Sequence, residues 1–405
     1  MAGIYIHIPF CASRCIYCAF YSTTSLDLRQ RYVDAVCREM AISCADVRDV
    51  TTIYLGGGTP SQLTIAQLHQ VFDAIYNNKV YAITANPEVT IEVNPDDVSV
   101  EFAAALQQLP VNRVSMGAQT FNDQRLQFLH RRHTSAQVAE AVKRLRAAGI
   151  RNISIDLMYG FPGETLADWA HDIDAALALH VEHLSAYCLS IEEGTPLYRM
   201  MQGHTGDRHN GERLRVGERS SGICPLYEQR SELQGDCPQC VDEETARAMY
   251  YLLKDRLESA GFEHYEISNF ARPGFRSRHN SSYWTGVPYL GLGAAAHSFD
   301  GHTRSWNVAD IRQYIDAIEQ GTRPFDSETI DGDTRYNDLL TTALRTREGL
   351  DLSRLSNRHC DYCLRSARRF IDDGLLHNDD EHLALTRRGL FVSDMVISGL
   401  MLVDD

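Results

Sequence analysis

No run of about 18 apolar residues occurs anywhere in the chain, so no segment is long and apolar enough to cross a bilayer as a helix. Positive charge is scarce: 39 Lys and Arg stand against 54 Asp and Glu, for a net charge of −15. That balance gives a phosphate backbone no general attraction and makes nucleic acid a poor partner. The stretch from Met1 to Phe10 lacks the basic, apolar and small-residue regions of a secretory leader. These absences predict a cytoplasmic protein. Core-forming residues are not lacking, since 405 residues with 44% hydrophobic content can bury a large α/β domain and a smaller one.

Cysteine is abundant, with 11 in all. A reducing compartment keeps thiols free, so clustered cysteines point to metal or redox chemistry rather than disulfides. Roughly 0.3 C-x-x-C pairs are expected by chance at this frequency. Three occur, at Cys15/Cys18, Cys237/Cys240 and Cys360/Cys363.

From Gly3 to about Cys188, β-rich runs alternate with amphipathic stretches. Strands are predicted over Ile4–Ile8, Thr52–Leu55, Val89–Glu92, Arg113–Met116, Asn152–Met158 and His183–Cys188. Helices fall between them over Leu28–Ile42, Ile65–Ile75, Val100–Leu109, Ala136–Ala148 and Leu166–Leu179. Six βα repeats in a row imply a parallel sheet with right-handed crossovers, either doubly wound or curved. The unusual residues follow the strand C-termini, the rim where a (β/α) barrel collects its chemistry. The expectation is a partial (β/α)6 TIM-like barrel over 1–300, carrying a polar insertion at about 204–240. Residues 301–405 read as helices with a small hairpin around His377–Thr386, a winged-helix-like domain suited to a structural or docking role. A helix over Glu243–Ala260, a Gly/Arg/His-rich loop up to Trp284 and a final apolar helix Leu390–Met401 complete the reading.

Cys11, Cys15 and Cys18 put three thiols within eight residues, a spacing that lets one loop wrap a face of a cuboidal cluster. Structural zinc wants a fourth ligand, and none lies near in sequence apart from His7 on the preceding strand. Three thiolates are also one short of saturating a [4Fe-4S] cluster, which leaves one iron open to a bound molecule. Incidental core cysteines have no reason to gather in a polar loop with Ser13 and Arg14.

The motif resembles the radical S-adenosylmethionine superfamily. Tyr5-Ile-His-Ile-Pro-Phe-Cys11, Gly56-Gly-Gly-Thr-Pro60, Ile91-Glu-Val-Asn-Pro95, Ser115-Met-Gly-Ala-Gln119-Thr, Asp156-Leu-Met-Tyr-Gly-Phe-Pro162 and Arg278-His-Asn-Ser-Ser-Tyr-Trp284 are similar to the oxygen-independent coproporphyrinogen oxidases and their haem-chaperone relatives of the HemW type. The resemblance runs over nearly the whole chain outside the insertion. It implies a [4Fe-4S] cluster on Cys11, Cys15 and Cys18, with S-adenosylmethionine contacted by Tyr5, Tyr17, Gly57, Gly58, Thr59, Glu92, Gln119, Arg131 and Asp156. Glu92, an acid ending an apolar strand, suits hydrogen bonds from a ribose or amino group; a helix-capping or salt-bridged carboxylate is its plain alternative. Arg131 suits a carboxylate. The implied chemistry is electron transfer into the sulfonium, giving methionine and a 5′-deoxyadenosyl radical.

Within that resemblance, the oxidases carry a further cysteine two residues after the third ligand, where this chain has Phe20. They also carry an N-terminal extension, whereas the first ligand here is already residue 11. The sequence therefore resembles the chaperones, which bind haem and deliver it to an acceptor protein. His279 offers an axial imidazole, and Tyr283, Trp284 and Arg278 offer aromatic surface and charge. The plain alternative for His279 is a hydrogen-bonded loop histidine. An altered oxidase or a radical methyltransferase stays open as an enzyme reading. An electron-donor protein and a homodimer follow from the resemblance alone. Cys224, Cys237 and Cys240, with His204 or His209, form a separate candidate zinc site, to which Cys360 and Cys363 could add. Cys37, Cys44 and Cys188 read as ordinary buried or half-buried residues.

Overall fold

The computed structural model describes residues 2–43, 49–201 and 241–403. The candidate zinc ligands Cys224, Cys237, Cys240, His204 and His209, and also Cys44, lie outside the described residues.

Six parallel strands stand side by side in chain order: β1 (Ala2–Ile8), β2 (Val50–Gly57), β3 (Ile83–Val93), β4 (Arg113–Gln119), β5 (Asn152–Tyr159) and β6 (His183–Cys188). Helices α1 (Arg29–Ile42), α2 (Ile65–Tyr76), α3 (Val100–Leu106), α4 (Asp123–Phe128), α5 (Ser135–Ala147) and α6 (Leu166–Ala178) fill the connections. Then come α7 (Pro196–Met201), α8 (Glu243–Ser259), and β7 (Glu263–Glu266) and β8 (Asn269–Ala271), which extend the sheet antiparallel beyond β6. After α9 (Arg278–Trp284), β9 (Tyr289–Leu292) pairs parallel to β1. Next, β10 (His297–Phe299), β11 (Thr303–Asn307) and β12 (Phe325–Thr329) continue antiparallel to the other edge, with α10 (Ile311–Glu319) between the last two.

The alternation along these strands decides where chemistry can occur. Outward residues such as Ile4, Ile6, Ile8, Ile53, Leu55, Val89, Ile91, Val114, Met116, Ile153 and Ile155 are buried in one apolar core beneath the helices. Parallel strands covered on both faces usually read as continuous apolar runs. Here the intervening residues are polar: Tyr5 and His7, Thr52 and Tyr54, Thr90 and Glu92, Arg113 and Ser115, Ser154 and Asp156, His183 and Ser185. The inner face is thus a polar chamber instead of a packed barrel core.

The sheet curls. β1 and β6 are five strands apart in the sheet order, about 24 Å if it were flat. Even so, Leu197 N on α7, after β6, donates to Ile16 O in the loop after β1, and Ile16 N donates to Leu129 O after β4. Ile16, Leu129, Met158, Phe161, Leu189, Ile191 and Leu197 form a small apolar cluster that gathers these loops on one rim. β12 and β7 end the sheet and do not pair with each other among the described residues.

At the opposite end, α9 lies against the starts of β1 and β2. The sequence reads this stretch as a loop, but it is helical. Ser277 caps it, and the buried Glu88 accepts from the Arg278 and His279 backbone amides at 3.0 and 2.9 Å. A carboxylate and a cap satisfying three first-turn N–H groups overcome the weak helix propensity of Asn and Ser.

Glu39 fastens the β9 side to the helical layer. Fully buried on α1, it accepts from Gly293 N (2.8 Å), Asn307 Nδ2 (2.7 Å) and Tyr314 Oη (2.6 Å), and it meets Arg323 Nε at 3.2 Å. Removing one member of a buried charged network strands the rest, so Glu39→Ala is expected to destabilise the fold by about 3–5 kcal/mol. Urea unfolding checks this. A loss below about 1 kcal/mol would show that the neighbours re-pair on their own.

The C-terminal region has its own core. Tyr336, Leu340, Leu344, Leu350, Phe370 and Leu400 pack together around α11 (Gly332–Ala343), α12 (Asn357–Asp372), α14 (Ser393–Ser398) and a three-stranded antiparallel sheet of β13 (Leu350–Asp351), β14 (Leu376–Asn378) and β15 (His382–Leu385), while Leu390 and Phe391 of α13 (Arg387–Phe391) pack against the larger core. β11, α10 and β12 belong instead to the large sheet and its core, so this second core begins at Tyr336. The expected single apolar helix over 390–401 is two short helices that meet at Val392, whose φ of −108° and ψ of 26° interrupt the turn. Cys363 is buried in the second core, and Cys188, read from sequence as buried or half-buried, is exposed at the end of β6. No described helix is long and apolar enough to cross a membrane.

Candidate functional site

The cysteine loop leaves the C-terminal end of β1 and is closed at its base. Cys11 N donates to Thr23 O at 2.9 Å and Thr23 N to Pro9 O at 2.7 Å, while Phe10 is buried edge-on against Tyr32. Ile16 anchors the middle of the loop in the rim cluster, and Cys18 N turns back to Cys15 O. Cys11, Cys15 and Cys18 are half-buried free thiols. They face one another closely enough that each of the Cys11 and Cys18 thiols feels the charge of Cys15. Burial raises both thiols above the usual range, so they are protonated until a metal displaces the protons.

Two glycines let the end of β2 support this loop. Gly57 has φ +104°, and a Cβ there would stand 2.3 Å from the His7 ring. A Cβ on Gly58 would meet Ile8 O and Pro9 C at 2.7 Å. With no side chains in the way, Gly58 N bonds Ile8 O (2.9 Å) and Thr59 N bonds Phe10 O (2.7 Å). Cys11 Sγ then lies 3.6 Å from Thr59 Oγ1.

A polar chain runs on across the rim. Asn94 Nδ2 donates to Thr59 Oγ1 at 3.3 Å and its Oδ1 accepts from Arg131 Nη2 at 2.7 Å. Arg131 also bonds Gly117 O at 2.5 Å and approaches Cys15 Sγ at 3.6 Å through Nη1. Its Nε is buried with no protein partner, a donor left over beside the cysteine loop. Tyr17 lies in the field of Arg131 and of its two neighbouring cysteines, and burial raises its hydroxyl far above the usual range.

Deeper in the chamber, Glu92 accepts from Tyr54 Oη (2.6 Å) and Gly57 N (3.0 Å), so it is neither a helix cap nor a salt bridge. Burial pushes it up to about 7, against the hydrogen bond from Tyr54. Asp156 is likewise raised by burial, offset by Ser185 and by Ser115, whose Oγ stands 3.4 Å from both carboxylate oxygens. Gln119 ends β4 with φ +68° at a register shift against β5, a strained position for a side chain that tilts it at the rim. Tyr5 lies one inward step below His7, which it meets at 3.0 Å, and its ring is tilted against Tyr54.

Thus Tyr5, Tyr17, Gly57, Gly58, Thr59, Glu92, Gln119, Arg131 and Asp156 fall on one chamber and its rim, beside or below the cysteines. His279 lies at the far end of that chamber, away from the cysteines. It lies against Gly3 and Thr52, near the strand starts, and from Gly3 to the end of β1 is about 16 Å of strand. It is 1% exposed, with Nδ1 on Thr52 Oγ1 and Nε2 on Tyr283 Oη, both at 2.9 Å, and it stacks on Tyr54. The picture of an open axial imidazole on a loop is corrected: both ring nitrogens are taken, and the ring closes the chamber floor from helix α9. Burial lowers it to about 3, so the ring is neutral. Sequence reasoning missed Asn94, Ser115 and Ser185 as bridges, and a serine or asparagine in a strand gives no signal of the partner it will meet.

The donor set fits the two groups that the cysteine spacing suggests. No three His, Cys, Asp or Glu side chains among the described residues converge tightly enough for a single metal ion. Three thiols of one loop instead suit three corners of a cube, whose irons stand apart from one another. Beside it, an orphaned guanidinium N–H and two half-covered carboxylates suit a zwitterion carrying one carboxylate, one ammonium and hydroxyls.

The Radical SAM superfamily pattern matches residues 5–176, and the HemN C-terminal domain pattern matches residues 330–392. The chain is 34% identical to the heme chaperone HemW of Bacillus subtilis over 411 residues, covering 99% of each. It is 30% identical to the heme chaperone HemW of Lactococcus lactis, covering 99% of this chain and 97% of that one. Among solved structures, coproporphyrinogen III oxidase (HemN) from Escherichia coli, a radical SAM enzyme, superposes with a TM-score of 0.76 over 98% of this chain and 90% of its own, at 20% identity. At that identity the superposition establishes a common fold.

Proposed function

Because the chain belongs to the HemW family of radical S-adenosylmethionine proteins, we propose that it holds a [4Fe-4S] cluster on Cys11, Cys15 and Cys18, binds S-adenosylmethionine at the open iron, and carries haem to an acceptor protein. The observation that carries this reading is identity at or above 30% over the full length of HemW chaperones. When bound and reduced, the cluster supplies an electron able to break a carbon–sulfur bond of the sulfonium. Arg131 orients the carboxylate of the ligand, Glu92 and Asp156 accept its ammonium and hydroxyl hydrogens, and the curled sheet limits water around them. Phe20, 57% exposed, stands where the oxidases resemble one another in carrying a cysteine, so a thiol proton donor is missing there. The reconstituted protein is therefore expected to bind haem and pass it to an apo-haemoprotein, without turning coproporphyrinogen III over to protoporphyrinogen. Catalytic turnover in that assay would overturn the chaperone reading.

His279 as the haem ligand needs the Tyr283 hydroxyl to leave Nε2 and α9 to move from the floor. The buried, neutral ring is in the protonation state that iron requires. Tyr283→Phe removes the competing hydrogen bond, worth about 1 kcal/mol, and is expected to tighten haem binding about fivefold. His279→Ala is expected to abolish the Soret change. Unaltered haem titrations in both variants would confine His279 to holding the floor.

A further inference from the structure

Arg113 opens β4 on the inner face and is 1% exposed. Its Nε is sealed from solvent with no hydrogen-bond partner, and no carboxylate approaches it closely enough for an ion pair among the described residues. A guanidinium buried in this way is costly to keep, and the packing of the fold gives no reason for it.

Its place in the register gives one. Next inward from Arg113 on β4 are Ser115, paired with Glu92 on β3, and Gly117, paired with Asp156 on β5. Gly117 brings no side chain, so on this face of β4 only Ser115 stands between Arg113 and the two acids. Arg113 opposes the effect of burial on Glu92 and on Asp156.

The other groups facing this volume do not compete. His183 on β6 and His279 on α9 are held neutral by burial, and Arg113 adds to this in each case. Tyr54, Tyr187, Tyr265 and Tyr283 keep their protons for the same reason. Tyr5 and His7 are bonded to each other. Glu88 is occupied by the amides of α9, and Glu266 by Arg345. Arg131 stands at the rim with its bonds on Asn94, Gly117 and Cys15. Arg113 is thus the one cation deep in the chamber among the described residues.

We propose that Arg113 is a positioning residue of the S-adenosylmethionine site: its unshared charge keeps Glu92 and Asp156 as carboxylates, so that both can accept hydrogen bonds from the sulfonium ligand. The proposal rests on those two acids being ligand contacts. Raised carboxylates are ionised only above their shifted midpoint, so adenosylmethionine affinity should weaken as pH falls below about 7. Without the guanidinium that midpoint should rise, and a rise of about one unit would lower affinity about fivefold at pH 7, a loss that vanishes at high pH.

The experiment is calorimetric titration of adenosylmethionine into the anaerobically reconstituted protein between pH 5.5 and about 9, with proton uptake read from buffers of different ionisation enthalpy. Arg113→Met should shift the pH step upward and increase proton release on binding, while Arg113→Lys should return the step to the wild-type pH. Glu92→Gln should flatten the step. If Glu92→Gln and Asp156→Asn each leave the step in place, the two acids are not the ligand contacts. If Glu92→Gln flattens it but Arg113→Met does not move it, the role given to Arg113 is wrong and the site reading stands. Should Arg113→Met not fold, a step in Arg113→Lys displaced by a full unit from wild type would overturn the proposal equally.

Discussion

Cys15→Ser is expected to take the reconstituted protein from about four irons per chain to nearly none, with loss of its broad visible absorption. Serine keeps the volume and polarity of the loop but is a poor ligand for soft iron. No other described His, Cys, Asp or Glu converges with the remaining two thiols to replace it. The loop itself should survive, because Cys11 N, Thr23 N and Ile16 N hold it through backbone bonds that the substitution leaves alone. Iron and sulfide counts on anaerobically reconstituted protein, alongside a melting curve, separate the two effects. Cys11→Ser and Cys18→Ser should behave alike. Zinc in place of iron, or undiminished iron in all three variants, would remove the basis of the cluster assignment.

Arg131→Met should weaken adenosylmethionine binding by about tenfold or more, the loss of the charge-assisted hydrogen bond from its left-over Nε, worth about 1.5–3 kcal/mol. The bridge it makes from Asn94 and Gly117 to Cys15 would also go, which leaves Gly117 O and Asn94 Oδ1 without their donor. Iron content must therefore be measured on the same sample. The expected pattern is a filled cluster whose spectrum responds to adenosylmethionine only at far higher concentration. Arg131→Lys, with a point charge and no fork, should fall between. Equal affinity in wild type and Arg131→Met would exclude a carboxylate contact at this residue.

Much of this arrangement was readable in advance. Period-two runs locate all six parallel strands, because one face of each packs under helices whose own 3.6 period is clear. The spacing of Cys11, Cys15 and Cys18 identifies the loop without reference to its partners. What stayed hidden depends on partners far along the chain. Arg278–Trp284 has the composition of a loop and becomes a helix because Glu88, on a distant strand, satisfies its first amides. The two short strands β7 and β8 are parted where Ile267 N and Ser268 N bond Arg345 O and Glu266 Oε2, contacts that no local pattern announces. Arg113 reads as an ordinary charge at a strand start, and nothing local says that the face it enters is closed below by His279. The rim residues were legible as a group. The opposite end of the chamber was not, because the partners that bury His279 there lie on distant strands and on its own helix.

The closed base of the cysteine loop bears on how the protein matures. In a zinc finger, an unfolded peptide must be ordered by its metal, and binding and folding are one event. Here Thr23 clasps Pro9 and Cys11, Gly58 and Thr59 brace the segment from below, and Ile16 is already seated among apolar neighbours. These backbone bonds and apolar contacts brace the loop at its base and middle, independently of its thiols. A loop braced in this way should keep its shape in the apoprotein, so that filling it would cost little conformational order.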